Sequence, residues 1–385
     1  MLAPRAPPCY RCLVGSKTSQ TPRAVFLTGG TGFLGRRLLV RLTQDGRNVL
    51  ALVRKNSRRT ARGWLSEYRK QDPEAAARIR LLTGDITKPE IFDDQASRAR
   101  VLTEAVHVIH CAAATHLAVE RRVAFDANVA GTKAVLELAA ELPNLERVLH
   151  VSTAAVAGDH TGRFSESMLL VGQRFGDRCA ETKMLGERKA RAAMATLPVT
   201  VARPAHIVGS STSGEVERVD GFYHLLLFLL KFSSLPAPLR FLPVAPGGHK
   251  SRLNVVPVDY VVEALLQLLT LPEAEGATVH LSDPFALTVR EFLDLSAERL
   301  GFVGPVVDIP ARPLGRMFRS APLSGLRTIL DQAMNLPPEL LAGLARPAVL
   351  DTTEAERLLR PAGIAPPPLA EYFDKLVEYT RNKLI

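Results

Sequence analysis

Ala24-Val25-Phe26-Leu27-Thr28-Gly29-Gly30-Thr31-Gly32-Phe33-Leu34-Gly35 decides how the chain is read. Val25, Phe26 and Leu27 form a short apolar run that predicts a buried strand, and Leu38, Leu39 and Leu42 follow at helical spacing. The glycines between them have separable tasks. Gly29 permits a tight turn, Gly32 lets backbone approach a pyrophosphate, and Gly35 lets the helix pack close to the strand. The free amides and positive end of that helix then face the phosphates. A glycine triplet alone says little, because such turns also join strands to helices that hold no ligand. The strand before it and the helix after it supply the context a dinucleotide site requires.

Composition sets the outer bounds. A chain of 385 residues with 46% hydrophobic content can bury a large core, as two or three domains or as one lobe with an appendage. The net charge of +10 comes largely from scattered arginines. No dense basic block carries interleaved aromatics, so the charge reads as a solvated surface favouring a polyanionic cofactor, not a nucleic-acid face. Of the four cysteines, Cys9 and Cys12 are close in sequence, Cys111 and Cys179 stand apart, and no histidine completes a zinc site. Nothing demands an oxidising compartment, and a cytoplasmic protein is expected. Residues 1–22 carry Arg5, Arg11 and Lys17, four prolines and no acid, which predicts a disordered basic tail without the apolar segment of a secretion signal. The greasiest run, Leu225 to Leu230, ends at Lys231 and is too short to span a bilayer. A homodimer is compatible with these features.

From Val25 to Arg203 strand and helix signals alternate, which predicts an α/β, Rossmann-type doubly wound parallel sheet over residues 23–208. The second strand, Val49 to Val53, leads directly into Arg54 and Lys55. An acid near this point bonds the ribose 2′-hydroxyl of NAD(H), whereas an arginine grips the 2′-phosphate of NADP(H); Arg54, with Arg36 on the same side, favours NADP(H). Ser57 to Arg78 reads as an arginine-rich helical excursion, Ile79 to Thr83 as the third strand, and Val106 to His110 as the fourth. The small residues Ala112 and Ala113 after it leave room for a flat ring. The fifth strand, Arg147 to Val151, delivers Ser152 and Thr153 to the carboxyl edge where such sheets bind ligands. A helix from Cys179 to Ala195 puts Cys179 and Lys183 on one face. Beyond residue 208 the alternation fails, and 209–385 is expected to form a smaller, mostly helical lobe, with short strands near 253–256 and 278–281. Its stripe of Phe222, Leu225, Leu226 and Leu229 suits either a core or an apolar substrate.

The series Thr28 to Gly35, Gly84-Asp85, Asn128 to Thr132, Val151-Ser152-Thr153, Lys183 and Arg203-Pro204 resembles an extended short-chain dehydrogenase/reductase. With Leu253 to Asp259 and the segment from Asp351 through Tyr379, it is more narrowly similar to the thioester-reductase and fatty-acyl-reductase branch. The resemblance implies an NADP(H)-dependent oxidoreductase acting on a carbonyl, thioester or secondary alcohol of a small apolar molecule. It implies that Gly29, Thr31, Gly32, Phe33, Leu34 and Gly35 cradle the pyrophosphate, with Asp85 and Ile86 at the adenine. Thr153, or else Ser152, would orient the substrate carbonyl, Lys183 would hold the nicotinamide ribose, and Asn128 would anchor a relay water. Arg203 and Pro204 would border the nicotinamide.

Where the family carries a tyrosine proton donor, four residues before the lysine, this chain has Cys179. A thiol is shorter than a phenol and a weak donor. Three readings stay open: a reductase whose proton comes from water, Thr153 or Tyr223; an NADP(H)-binding sensor or scaffold with little chemistry; or a Cys179 nucleophile. His116 and His206 also follow strand ends and read as polar lining.

Overall fold

The computed structural model describes residues 23–115, 119–217, 219, 221–234, 243–244, 251–302, 307–308, 345–346 and 348–384. The expected tail and His116 lie outside them. Seven strands form one parallel sheet: β1 (Ala24–Thr28), β2 (Asn48–Val53), β3 (Ile79–Thr83), β4 (Ala105–His110), β5 (Arg147–Val151), β6 (Val199–Pro204) and β7 (Thr278–Leu281). Their order is β7-β6-β5-β4-β1-β2-β3. Strand order reverses between β1 and β4, which opens a crevice at their carboxyl ends.

The helices are α1 (Phe33–Gln44), α2 (Arg58–Gln71), α3 (Gly131–Ala140), α4 (Arg178–Ala193), α5 (Gly221–Ser233), α6 (Val258–Thr270), α7 (Val289–Leu300), α8 (Thr353–Leu359) and α9 (Leu369–Lys383), of which all but α5, α7 and α9 cover the two faces of the sheet. Pleating divides the strand residues between two cores. Val25, Leu27, Ile109 and Leu149 pack with α1 and α6, whereas Phe26, Val108, Val148 and Val201 face α3 and α4. The arginine-rich excursion is two helices, because Asp72 stops α2 and its carboxylate caps the short helix Pro73–Ala77 through Ala75 N, at 2.9 Å.

The 209–385 segment is less separate from the sheet than the sequence suggested. β7 pairs in parallel with β6, from Thr278↔Val201 to Leu281↔Pro204. The apolar faces of α6 and α8 lie in the first core. The smaller lobe is built instead by α5, α7 and α9. Its core holds Phe222, Leu225, Leu226, Leu229, Phe292 and Phe373, with the last two rings edge to face at 5.8 Å. The stripe on α5 is therefore structural and supplies no apolar substrate wall. No helix among the described residues is long and apolar enough to cross a membrane.

Candidate active site

The crevice starts at Gly29. Its φ is +80°, and a Cβ there would lie 2.6 Å from Ala112 N and 2.7 Å from the Cys111 carbonyl carbon. Only glycine lets β1 and the segment after β4 meet this closely. A Cβ on Gly35 would run into the Gly29 carbonyl oxygen, so the first turn of α1 sits directly on the glycine turn. Gly32 donates to Gly29 O at 3.0 Å and no side chain caps α1. The amides of Phe33, Leu34 and Gly35 precede any acceptor within the helix and are left for an anion. Gly32 is exposed and Thr31, Phe33 and Leu34 are half-buried. This cradle fits a dinucleotide pyrophosphate.

Around it stand the other expected contacts. Ala112 and Ala113 are half-buried. Asp85 Oδ1 accepts from Thr87 N at 3.0 Å and Thr87 Oγ1 at 2.8 Å, leaving its second oxygen outside this turn. Ile86 is buried under Gly131 and backs the site. Arg54 is exposed at the end of β2, followed by exposed Lys55, Arg58 and Arg59. Arg36 turns away to Glu217, at 3.1 Å.

The catalytic candidates separate by their partners. Thr153 is half-buried and its Oγ1 accepts from Ala155 N at 3.1 Å, which leaves its own proton to donate. Ser152 is buried and donates to Glu187 Oε2 at 2.6 Å, so its hydroxyl is spent. Lys183 is buried on α4, donates to Val151 O at 2.5 Å, and burial draws its ammonium down to about 8. Cys179 is half-buried in the first turn of the same helix. Nearby, burial pushes the Cys111 thiol up to about 12, and its Sγ donates to Thr28 O at 2.9 Å.

Asn128 lies in a π-helical turn, Asp126–Ala130, of the kind frequent at functional sites. Both of its amide hydrogens are committed. Oδ1 accepts from Ala114 N at 2.8 Å, and Nδ2 donates to Ala114 O at 3.1 Å and Thr182 Oγ1 at 2.9 Å. The side chain clamps the segment after β4 to α4 and has no hydrogen left to donate to a relay water. Arg203 also differs from expectation. It is fully buried under the crevice, bonded to Glu187, and does not border a nicotinamide. Pro204 is buried beside it. Tyr223 has its phenol oxygen accepting from Gly209 N at 2.7 Å and is fully buried in the core of the smaller lobe; that burial, away from the crevice, removes it as a proton source. His206 is half-buried, its backbone bonded to Asn254 O at 3.1 Å.

Sequence reasoning missed the buried pair His110 and His150, whose rings lie 5.4 Å apart. His110 Nδ1 meets Thr28 Oγ1 at 2.7 Å and Nε2 meets Thr132 Oγ1 at 3.0 Å. Because Thr132 Oγ1 already donates to Asn128 O at 2.8 Å, it accepts from Nε2–H, and this assigns the neutral tautomer. Burial keeps that ring neutral, with its pKa near 3. Their positions at the ends of adjacent strands were the only signal, and it did not distinguish them from core residues.

Residues 27–265 match the family model NAD_binding_4, described as Male sterility protein. The chain is 25% identical over 281 residues to the fatty acyl-CoA reductase wat of Drosophila melanogaster, covering 63% of this chain and 53% of that one. It is 29% identical over 356 residues to a carboxylic acid reductase of Segniliparus rugosus, covering 85% and 29%. The chain thus spans about half or less of these relatives. Among solved structures, the terminal R domain from the myxalamid PKS-NRPS biosynthetic pathway superposes with a TM-score of 0.75 at 25% identity, covering 95% of this chain and 92% of that one. MoeE5 in complex with UDP-glucose and NAD has the same fold, with a TM-score of 0.61 at 21% identity, covering 94% of this chain and 100% of that one. The glycine cradle, the parallel sheet and these likenesses agree: the chain is an NAD(P)-binding protein of the extended short-chain dehydrogenase/reductase type and belongs to the Male sterility, or NAD_binding_4, family.

Proposed function

We propose that this protein is an NADP(H)-dependent reductase of apolar acyl thioesters. The observation that carries the reading is that the Lys183 ammonium is bonded to Val151 O, two residues before Thr153, at the carboxyl end of β5. The exposed Arg54, followed by Lys55 and Arg58, supports the phosphorylated coenzyme. The named reductases among the relatives support the substrate class.

When bound, the nicotinamide supplies the hydride. Thr153 donates its hydroxyl proton as a hydrogen bond to the substrate carbonyl oxygen and stabilises the charge that develops there. Lys183 holds the ribose and offers a positive charge beneath the same oxygen. The net change is one hydride and one proton in, an aldehyde and a thiol out.

Cys179 favours a thioester over a ketone. Reducing a ketone leaves an alkoxide that must be protonated, the task of the missing phenol. A thioester loses its sulfur as a thiolate, which departs without prior protonation because a thiol's reference pKa is only about 8.5, and takes its proton afterwards from solvent. The site then needs an oxyanion donor more than a general acid.

The test is NADPH consumption with a medium-chain acyl thioester, the aldehyde being trapped as it forms. Coenzyme binding without turnover of thioesters or aldehydes would favour the alternative that Cys179 raises, a nucleotide sensor or scaffold.

A further inference from the structure

Beneath Thr153 and Lys183 lies a layer of buried charge that neither sheet packing nor coenzyme binding requires. Arg203 and Glu187 are both fully buried. Arg203 Nε reaches the two Glu187 oxygens at 3.1 and 3.0 Å, and its NH2 group donates to Glu187 Oε1 and Met168 O, each at 2.6 Å. Its NH1 group donates to Glu166 O at 3.3 Å and to His280 Nε2 at 3.0 Å. Glu187 also receives Arg191 Nε at 2.9 Å and the Ser152 hydroxyl at 2.6 Å. Burial alone would raise the Glu187 carboxyl, but the Arg203 and Arg191 guanidinium groups and the Ser152 hydroxyl together outweigh it and hold the group below its usual range.

A buried ion pair is a poor stabiliser, because desolvating both charges costs about as much as their attraction returns, and apolar residues of equal volume often serve better. Its value here lies in what it touches. Ser152 is the neighbour of Thr153 in sequence. Glu187 is one helical turn beyond Lys183, on the same face of α4. Arg203 also grips the carbonyls of residues 166 and 168, and His280 Nδ1 passes on to Asp351 O at 2.6 Å.

We propose that the Glu187–Arg203 pair is a positioning device for the reaction: it straps the end of β5 through Ser152 and α4 through Glu187, so that the Thr153 hydroxyl and the Lys183 ammonium are held in one frame. The inference rests on the reduction proposed above, but part of its test does not. Glu187 is the carboxylate among the groups that set the Lys183 charge, the others being the Cys111 and Cys179 thiols; the buried, neutral His110 and His150 lie on the same side.

Ser152→Ala leaves the ion pair in place and cuts the strap. It should lower kcat about tenfold or more, the worth of one hydrogen bond to a charged group, with KM for NADPH unchanged. Ser152→Thr should restore most of the loss. The second measurement needs no turnover: the pH dependence of Lys183 acetylation, read by mass spectrometry of its peptide. Glu187→Gln should make Lys183 about threefold more reactive near neutral pH, because an ammonium that has lost a nearby carboxylate gives up its proton more readily. If that variant fails to fold, Glu187→Gln/Arg203→Met removes both charges at similar volume and should show the same change. Wild-type kcat in Ser152→Ala, or unchanged Lys183 reactivity in the folded charge variant, would overturn the proposal. A wild-type protein inactive on every thioester would instead overturn the proposed function, and the acetylation result would still decide this one.

Discussion

Gly29 and Ala112 touch backbone to backbone across the reversal of strand order, with 2.6 Å between Ala112 N and the place a Gly29 side chain would occupy. That contact shapes the crevice. It joins the turn after β1 to the segment after β4, so both edges of the nucleotide site come from one rigid junction.

Gly29→Ala should therefore abolish coenzyme binding and lower folding stability by at least about 1–3 kcal/mol, the cost of a non-glycine residue at positive φ with an added clash. Calorimetric titration and thermal melting check the two effects. Gly46, also at positive φ but with no atom within 4 Å of an added Cβ, is the control; its alanine variant should bind normally.

Arg54→Ala should weaken NADPH binding about tenfold or more while leaving NADH almost unchanged, because a charge-assisted pair to phosphate is worth about 1.5–3 kcal/mol. Arg36→Ala should change the preference little, since Arg36 is engaged with Glu217. Parallel titrations of both coenzymes on the three proteins decide this.

The pH dependence follows from Lys183. Burial lowers its pKa from 10.5 to about 8, so it is an ammonium below about pH 8 and loses that charge above it. Turnover that relies on the ammonium should fall about tenfold for each further step of one in pH on the alkaline side. Stability should move the other way. Between about 8 and 10.5 the unfolded chain binds a proton that the folded one does not, so this group's contribution to folding improves as pH rises through that window and is least favourable below it. Rate profiles and denaturant melts across this range test both signs.

Cys179→Tyr should raise reduction of an aldehyde to its alcohol about 10²-fold or more, the lower range for general-acid help, and reduction of a thioester much less. Equal gains on the two substrates would remove the argument that a thiolate leaving group spares the site its acid.

The sheet was legible in the sequence because its strands are short apolar runs alternating with helical segments, and six of them appear between Val25 and Arg203. The seventh, Thr278–Leu281, was legible as a strand but not as part of this sheet, since it follows a long break in the alternation and finds its place only by pairing with β6. The glycine cradle was readable because its job is done by backbone. The polar roles were harder. Arg203 stands at the end of a strand like any wall residue, and nothing local says that Glu187, Glu166 O and Met168 O will meet its guanidinium. Ser152 and Thr153 look interchangeable in sequence. Only the pleat decides that one points down to Glu187 while the other stays at the edge.

Calorimetry of the purified protein with NADPH and NADH tests the central claim most directly. Saturable binding of NADPH, tighter than NADH and lost in Gly29→Ala, is the result expected. Heat from neither coenzyme on a well-folded protein would contradict the account at its base.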